Sequence, residues 1–494
     1  MEKVLKEKTE SRRLILTAFI LILVNFLLRI AFAASNDLAM DEPFTVWWAQ
    51  HSLGEITAML GSENNPPLHF FLLHFWIKLF GISAFSVRLP SVIFSSITAG
   101  LIFMTAARQF SFKAGLMAAL MYTLSVMHMS FSHEARVYPL FVMLAVWNLA
   151  LMLRIIGGDT NKALKIWLFI SGLLLVYSHY FGWIPLLMQW IFMMTYKNVR
   201  MQWKSFLLLW IVLFAAYLPV FWIFLQRFLH SSGGTWVPAP QWTELYGNIN
   251  RFLNDRWVTA VILGIFLIGV IVVTAGRKLK ETVGLMFRNR ALTAVLLWFG
   301  FPYFIMFLVS FRLPVFLDRY ILFTSAGVFI LIAAVVDHIF SKRWMRYTAY
   351  VVPLFVMMFF FDLNPYNNRN ISHIASLLKS IRPSGDKLII SPEYASLEFS
   401  YHYDIEAFRD YKQTNIRLRQ QGVFPVRSLK VSSDSEPLKA SRIFYLDCGS
   451  AFAFGEDQVL LELNEYYSAS RIVYIDGVYT LRVFSERRPE DAQH

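Results

Sequence analysis

Residues 64–81 read NNPPLHFFLLHFWIKLFG, and the side on which every later loop falls depends on whether this segment crosses a membrane. It is apolar with His69, His74, Trp76 and Lys78 interspersed, and too short to cross about 30 Å of hydrocarbon. Pro66-Pro67 suit a helix start. The segment is therefore expected as an interfacial helix lying on the outer leaflet. A short tilted span is the alternative, and it would invert all the loops that follow.

The loop charges test that choice independently, because cytoplasmic loops collect Lys and Arg. Apolar stretches fall near 14–34, 87–106, 114–131, 138–155, 165–181, 183–196, 205–225, 257–274, 291–310, 320–338 and 345–361, about eleven in all. The pair around 165–196 is interrupted by HYFGWIP, a tight hairpin or a kink. With 64–81 kept out of the count and the N-terminus inside, the basic segments KVLKEKTESRR, ARQFSFK, RIIGGDTNKALK, YKNVRMQWK, GRKLKETVGLMFRNR and HIFSKRWMR all fall on the cytoplasmic side. The outer side receives 35–86, 132–137, 226–256, 311–319 and everything after about 362. This is the pattern of a multi-pass membrane protein with its N-terminus in the cytoplasm.

Composition agrees. The 494 residues are 56% hydrophobic and their mean hydropathy is +0.49, a balance that excludes an ordinary soluble fold. A net charge of +13 would suggest nucleic-acid binding in a soluble domain. Here much of the excess sits in cytoplasmic loops, so no nucleic-acid partner is expected. The small residues at 32–35 resemble a signal-peptidase site, but the apolar run before them is longer than a typical signal core, favouring an uncleaved anchor. One cysteine, Cys448, excludes an intramolecular disulfide framework and a cysteine-rich metal site.

After FDLNPYNNRN the composition changes, and DKLIIS, SRIFYLDC, QVLLELNEYY and SRIVYIDGVYTLRVFS read as short strands and helices. Two domains are expected: a membrane domain over 1–362, with 35–86 as its first outer loop, and a small soluble periplasmic α/β domain over 363–494. The second carries no nucleotide loop or catalytic triad and reads as a rigid cap or docking module.

Charged groups gather where the outer loops meet apolar segments, a costly placement unless they are paired or used. Asp41 and Glu42 follow the first span. Arg88 lies in VRLPS; His133, Glu134, Arg136 and Tyr138 lie in SHEARVYP; Arg319 and Tyr320 lie in FLDRY. Arg319 at a helix start opposes the helix dipole, and an anionic ligand would account for it. A carboxylate can take a proton from an acceptor hydroxyl, while arginines neutralise charge on a phosphate leaving group. Outside the cytoplasm a soluble nucleotide sugar would not be at hand, which points to a sugar carried on a polyprenyl phosphate.

In this order the DE pair, NNPPLHFFLLHFWIKLFG with VRLPS, SHEARVYPLFVML, YSHYFG and DRYILF resemble the bacterial branch of the protein O-mannosyltransferase and aminoarabinose transferase superfamily. The resemblance covers about residues 14–340. It implies a GT-C fold of about eleven transmembrane helices and an inverting glycosyltransferase with a polyprenyl-phosphate-linked donor. The acceptor would be a lipid, a glycan or a protein. By the family pattern Asp41 is the general base or acceptor-orienting carboxylate, with Glu42 its neighbour. Glu134 and Arg136 match the acidic and basic positions of the second outer loop, and Arg319 and Tyr320 match a late Arg-Tyr pair near the donor phosphate. His179 and Tyr180 line the cavity, as Asn65, His69, His133 and Tyr138 are expected to do.

Many relatives carry Asp or His just before the paired prolines, where this chain has Asn64-Asn65, so no tightly bound metal is expected. A divalent cation could draw on His51, Glu63 and His133, whose spacing is not a recognisable ligand pattern. Trp47 and Trp48 read as interfacial anchors. A transporter or flippase for lipid-linked glycans would use the same arginines without chemistry, and a scaffold would leave Asp41 and Glu42 dispensable.

Overall fold

The computed structural model describes residues 2–61, 63, 65–231, 237–275, 279–383, 385–430 and 440–488. Asn64 lies outside them. The chain forms two compact units, one of Met1–Ala33, Thr57–Leu72 and Arg88–Pro365, the other of Ala34–Ile56, Leu73–Val87 and Tyr366–His494.

The first unit is helical. Among the described residues seven helices are long and apolar enough to cross a membrane: Lys8–Ile30, Ala84–Gln109, Tyr138–Ile156, Trp203–Gln226, Arg256–Ala275, Arg290–Val309 and Asp318–Ile339. Phe112–Thr123 and Val126–Ser132 make an eighth if their 60° bend is taken within one span. The other apolar stretches are helical too but shorter: Lys162–Ser178, Trp183–Thr195 and Arg343–Phe359. Breaks in the apolar runs shorten them. His179 leaves the helix with φ −149° and ψ 140°, and Tyr180–Gly182 form a single 3-10 turn. A side chain at Gly182 would collide with the carbonyl of Leu175, so only glycine fits this tight reversal.

Small residues let these helices approach closely: a Cβ at Gly115 would lie 2.7 Å from the carbonyl oxygen of Phe103. Buried polar side chains join helix to helix. Asn25 donates to Thr123 Oγ1 at 3.0 Å, Asn148 to Ser171 Oγ at 2.9 Å, and His128 Nε2 lies 2.7 Å from Ser325 Oγ. Between them runs an apolar core that includes Phe141, Trp298, Phe323 and Phe329.

The second unit is built on a five-stranded sheet, β1 (Lys387–Ser391), β2 (Val423–Pro425), β3 (Ile443–Asp447), β4 (Tyr467–Asp476) and β5 (Tyr479–Arg487), in the order β2-β1-β3-β5-β4. β1 pairs parallel with β2 and β3, and β5 antiparallel with β3 and β4. Alternation places Leu388, Ile390, Phe444 and Leu446 on one face, against helices Ile371–Ile381 and Ala395–Tyr403. Ile389, Ile443 and Tyr445 take the other face, against helix Gln458–Tyr466. The stretch QVLLELNEYY is thus mostly helix.

The same unit includes helix Asp41–Ala49, and the 13-residue helix Leu68–Phe80 gives its first residues to one unit and the rest to the other. At about 1.5 Å per residue the latter is roughly 20 Å long, short of a span.

Candidate active site

The two acidic residues after the first span open helix Asp41–Ala49, where carboxylates favour the helix dipole. Their environments differ: Asp41 is exposed and Glu42 is buried. Thr45 Oγ1 donates to the Asp41 carbonyl oxygen at 2.9 Å. The residue before them, Met40, has φ 58° and ψ −122°, a conformation ordinarily left to glycine.

Trp47 and Trp48 belong to a packed aromatic group. Trp47 Nε1 donates to Thr414 Oγ1 at 3.1 Å, both rings lie against His51, and His51 stacks near Tyr411 with centroids 4.0 Å apart.

In the helical unit most of the other expected residues come together at one set of helix ends. His179 is fully buried, stacked on Phe141 at 4.9 Å. Tyr138 and Tyr320 flank it at 6.2 and 5.6 Å. The guanidinium groups of Arg136 and Arg319 both lie within electrostatic reach of its ring. Arg136 also faces Tyr138 at 5.8 Å and Arg319 faces Tyr320 at 5.5 Å. Ser91 donates to the Arg136 carbonyl at 3.3 Å, tying SHEARVYP to VRLPS.

Arg88 is buried and donates to the Ala33 carbonyl at 3.1 Å. Its charge reaches His133, whose Nε2 lies 2.8 Å from the Arg29 carbonyl. Glu134 is half-buried in the same loop. The Tyr180 ring packs against Phe224 at 5.3 Å.

Electrostatically the group is cationic through its arginines. Burial and the Arg136 charge push His69 down to about 3. Burial is the main cause that brings His133 to about 4. Both imidazoles are therefore neutral near pH 7. Among the described residues, His133 Nδ1 and His179 Nε2 are buried without a hydrogen-bond partner, so each can still serve an incoming group. Asn65 is committed locally, donating to Glu63 Oε1 at 3.0 Å. Among the described residues no three His, Cys, Asp or Glu side chains are grouped as a metal ion would need.

Two residues were missed at the sequence level. Arg29, near the end of the first span, is fully buried and donates from Nε to Ser95 Oγ at 2.9 Å and from Nη1 to Asn25. Its Nη2 has no hydrogen-bond partner among the described residues. A charge inside an apolar run was the available signal. Glu398, buried in the second unit, carried no such signal, because polar and apolar residues alternate without a clear face in ASLEFSYHY.

Residues 64–224 match the family model described as dolichyl-phosphate-mannose-protein mannosyltransferase. The whole fold is similar to that of ArnT from Cupriavidus metallidurans in the apo state, with a TM-score of 0.57 at 12% identity over 97% of this chain and 98% of that one. The chain has the GT-C fold, and about a third of it, residues 64–224, is PMT-like in sequence.

The same ArnT bound to undecaprenyl phosphate aligns with a TM-score of 0.51 at 12% identity, over 96% of this chain and 98% of that one. The Archaeoglobus fulgidus oligosaccharyltransferase in its apo form gives 0.51 at 11% identity, over 94% and 74%. No curated protein matches the sequence. The PMT-like segment includes Asn65, His69, Arg88, Glu134, Arg136 and His179; Asp41 and Glu42 precede it, and Arg319 and Tyr320 follow it. The GT-C fold is that of a multi-pass membrane protein, and the Archaeoglobus fulgidus protein that shares it is an oligosaccharyltransferase.

Proposed function

We propose that the protein transfers a sugar from a polyprenyl-phosphate-linked donor to a lipid, glycan or protein acceptor on the outer face of the bacterial inner membrane, with inversion at the anomeric carbon. The observation that carries this reading is the gathering of Arg136, Arg319, Tyr138 and Tyr320 around His179, with Arg88 near His133. This cationic group lies largely within a segment that matches a lipid-phosphate-sugar transferase family. Undecaprenyl phosphate bound to the similarly folded ArnT supports a polyprenyl phosphate as the carrier.

In this reading Arg88, Arg136 and Arg319 neutralise the phosphate, directly or through the neutral histidines beside them. The acceptor oxygen attacks the anomeric carbon, and the bond from that carbon to the phosphate oxygen breaks. Its electron pair leaves on the polyprenyl phosphate. Asp41 takes the proton when the acceptor is a hydroxyl; when the acceptor is itself a phosphate, Asp41 chiefly orients it. Glu42, buried beside it, supports the turn, and Glu134 is the second acidic group of the outer loops.

The test is a deletion strain complemented with Asp41→Asn, followed by mass spectrometry of envelope glycolipids and glycoproteins. Loss of one sugar from one acceptor, with the variant inserted and still binding undecaprenyl phosphate, is the expected result and names both substrates. Undiminished product would remove Asp41 from the mechanism. Continued movement of lipid-linked glycan across the membrane, with no glycosylated product even from the wild type, would mark a flippase instead.

A further inference from the structure

The turn that delivers Asp41 is gripped by side chains that come from the far end of the chain but belong to the same compact unit. Asn367 Nδ2 donates to the Asp37 carbonyl at 3.1 Å, and Asp37 Oδ2 accepts from the Ser372 amide at 2.7 Å. His402 Nε2 lies 3.0 Å from the Leu38 carbonyl. The Met40 amide lies within hydrogen-bonding reach of the Glu398 carboxylate, on a helix that packs on helix Asp41–Ala49.

Met40 is the strained point, because φ 58° with ψ −122° suits glycine and costs any residue with a side chain. Such a conformation persists only where its surroundings over-determine it. Glu398 is one of those surroundings. It sits 7% exposed on helix Ala395–Tyr403, and it accepts a hydrogen bond from the Tyr479 hydroxyl.

A carboxylate so deeply placed is expensive. Burial raises it to about 7, against the pull of Tyr479, Arg369 and the Met40 amide, with Asp37 adding to the rise. Cys448 and Tyr394 lie within reach of its charge as well, and Tyr394 also feels Asp41. A leucine would fill the same space in the sheet–helix core more cheaply, but it could not accept from Met40.

We propose that Glu398 is a positioning residue for sugar transfer: by accepting the Met40 amide it holds the strained turn that sets the direction of Asp41. The C-terminal segment is then part of the catalytic apparatus rather than a passive cap. The proposal rests on Asp41 acting in transfer.

Four variants of the full chain test it: Glu398→Ala, Glu398→Gln, Met40→Gly in the Glu398→Ala background, and Asp41→Asn. Product per cell is measured in the complemented deletion strain at matched protein level, and amide hydrogen exchange of residues 37–42 on the purified proteins. The expected result is at least a tenfold loss of product and faster exchange at 37–42 for Glu398→Ala. Glutamine keeps the acceptor oxygen and should retain most of the product. Glycine at position 40, which takes this backbone without strain, should restore a large share of it in the alanine background.

Full product from Glu398→Ala, with Asp41→Asn inactive, overturns the positioning role alone. Full product from Asp41→Asn overturns the reading on which it rests. If Glu398→Ala does not accumulate, Glu398→Leu, which fills the same space but cannot accept from Met40, is read by the same two measurements. Native exchange at 37–42 in that variant overturns the proposal, and faster exchange with reduced product supports it.

Discussion

Arg29 shows what a single charge inside a membrane protein can be asked to do. Its guanidinium is fully buried, and the bonds it makes go to Ser95 and Asn25, neutral groups that do not balance its charge. Charged residues at such depth generally pair or serve a ligand path, and the charge of Arg29 also reaches His133, beside Arg88. Arg29→Met, which keeps an unbranched apolar stem and removes the charge, should weaken undecaprenyl phosphate binding by about tenfold, some 1.4 kcal/mol. Equilibrium binding to the purified, folded variant measures this. Unchanged binding with a lowered melting temperature would make Arg29 a purely structural tie between helices. The sequence held the clue, since Arg29 interrupts an otherwise apolar run, but not its weight: the same arginine snorkelling to an interface would read identically.

At the scale of elements, the turn after helix Lys162–Ser178 places His179, and Gly182 makes the turn possible. Gly182→Ala would force the backbone away from the Leu175 carbonyl, costing about 1–3 kcal/mol and moving His179 from between Arg136 and Arg319. The expected outcome is weaker undecaprenyl phosphate binding in protein that still inserts, whereas Gly284→Ala, where a Cβ would meet nothing within 4 Å, should bind as the wild type does.

Helix Ala395–Tyr403 carries a pH signature of its own. Glu398 is raised from 4.5 to about 7 when folded, so between these values the folded state holds a proton that the unfolded state has released. Stability from this group is complete below about pH 4.5 and is lost as pH rises to about 7, by up to about 3 kcal/mol. Melting of the full chain between pH 4.5 and 8 should show that fall, and Glu398→Gln should flatten it. The groups facing Glu398, namely Tyr479, Arg369, Asp37, Cys448 and Tyr394, are unchanged in the variant, so the difference isolates one carboxyl.

Across the whole molecule, what could be seen in advance was what is local in the chain. Uninterrupted apolar runs and β-branched strands such as LIIS and RIVYI signal their own structure. The outer-loop motifs around Arg88, Arg136 and Arg319 stood out because charges sat against apolar segments. What remained hidden is what distant segments do to one another: the three-residue β2, too short for any pattern, the strain at Met40, and the approach of the Met40 amide to Glu398.

The same distance shapes a last expectation about the second unit. Residues 34–56 and 73–87 are integral to it. Gln50 donates to the Phe408 carbonyl at 3.2 Å, Trp47 to Thr414, and Tyr401 to the Ile82 carbonyl at 2.9 Å. Residues 366–494 expressed alone would lose these partners and leave apolar surface open around Phe408 and Tyr401. They should melt at a lower temperature, or self-associate, compared with the same segment fused through a flexible linker to residues 34–87. Circular dichroism melts and sedimentation of the two proteins give the comparison. An isolated segment as stable and monomeric as the fusion would mean that the first outer loop merely rests on a domain complete without it. A stabilised fusion would make the loop that bears Asp41 a structural member of the unit, which accords with Glu398 acting on it from within.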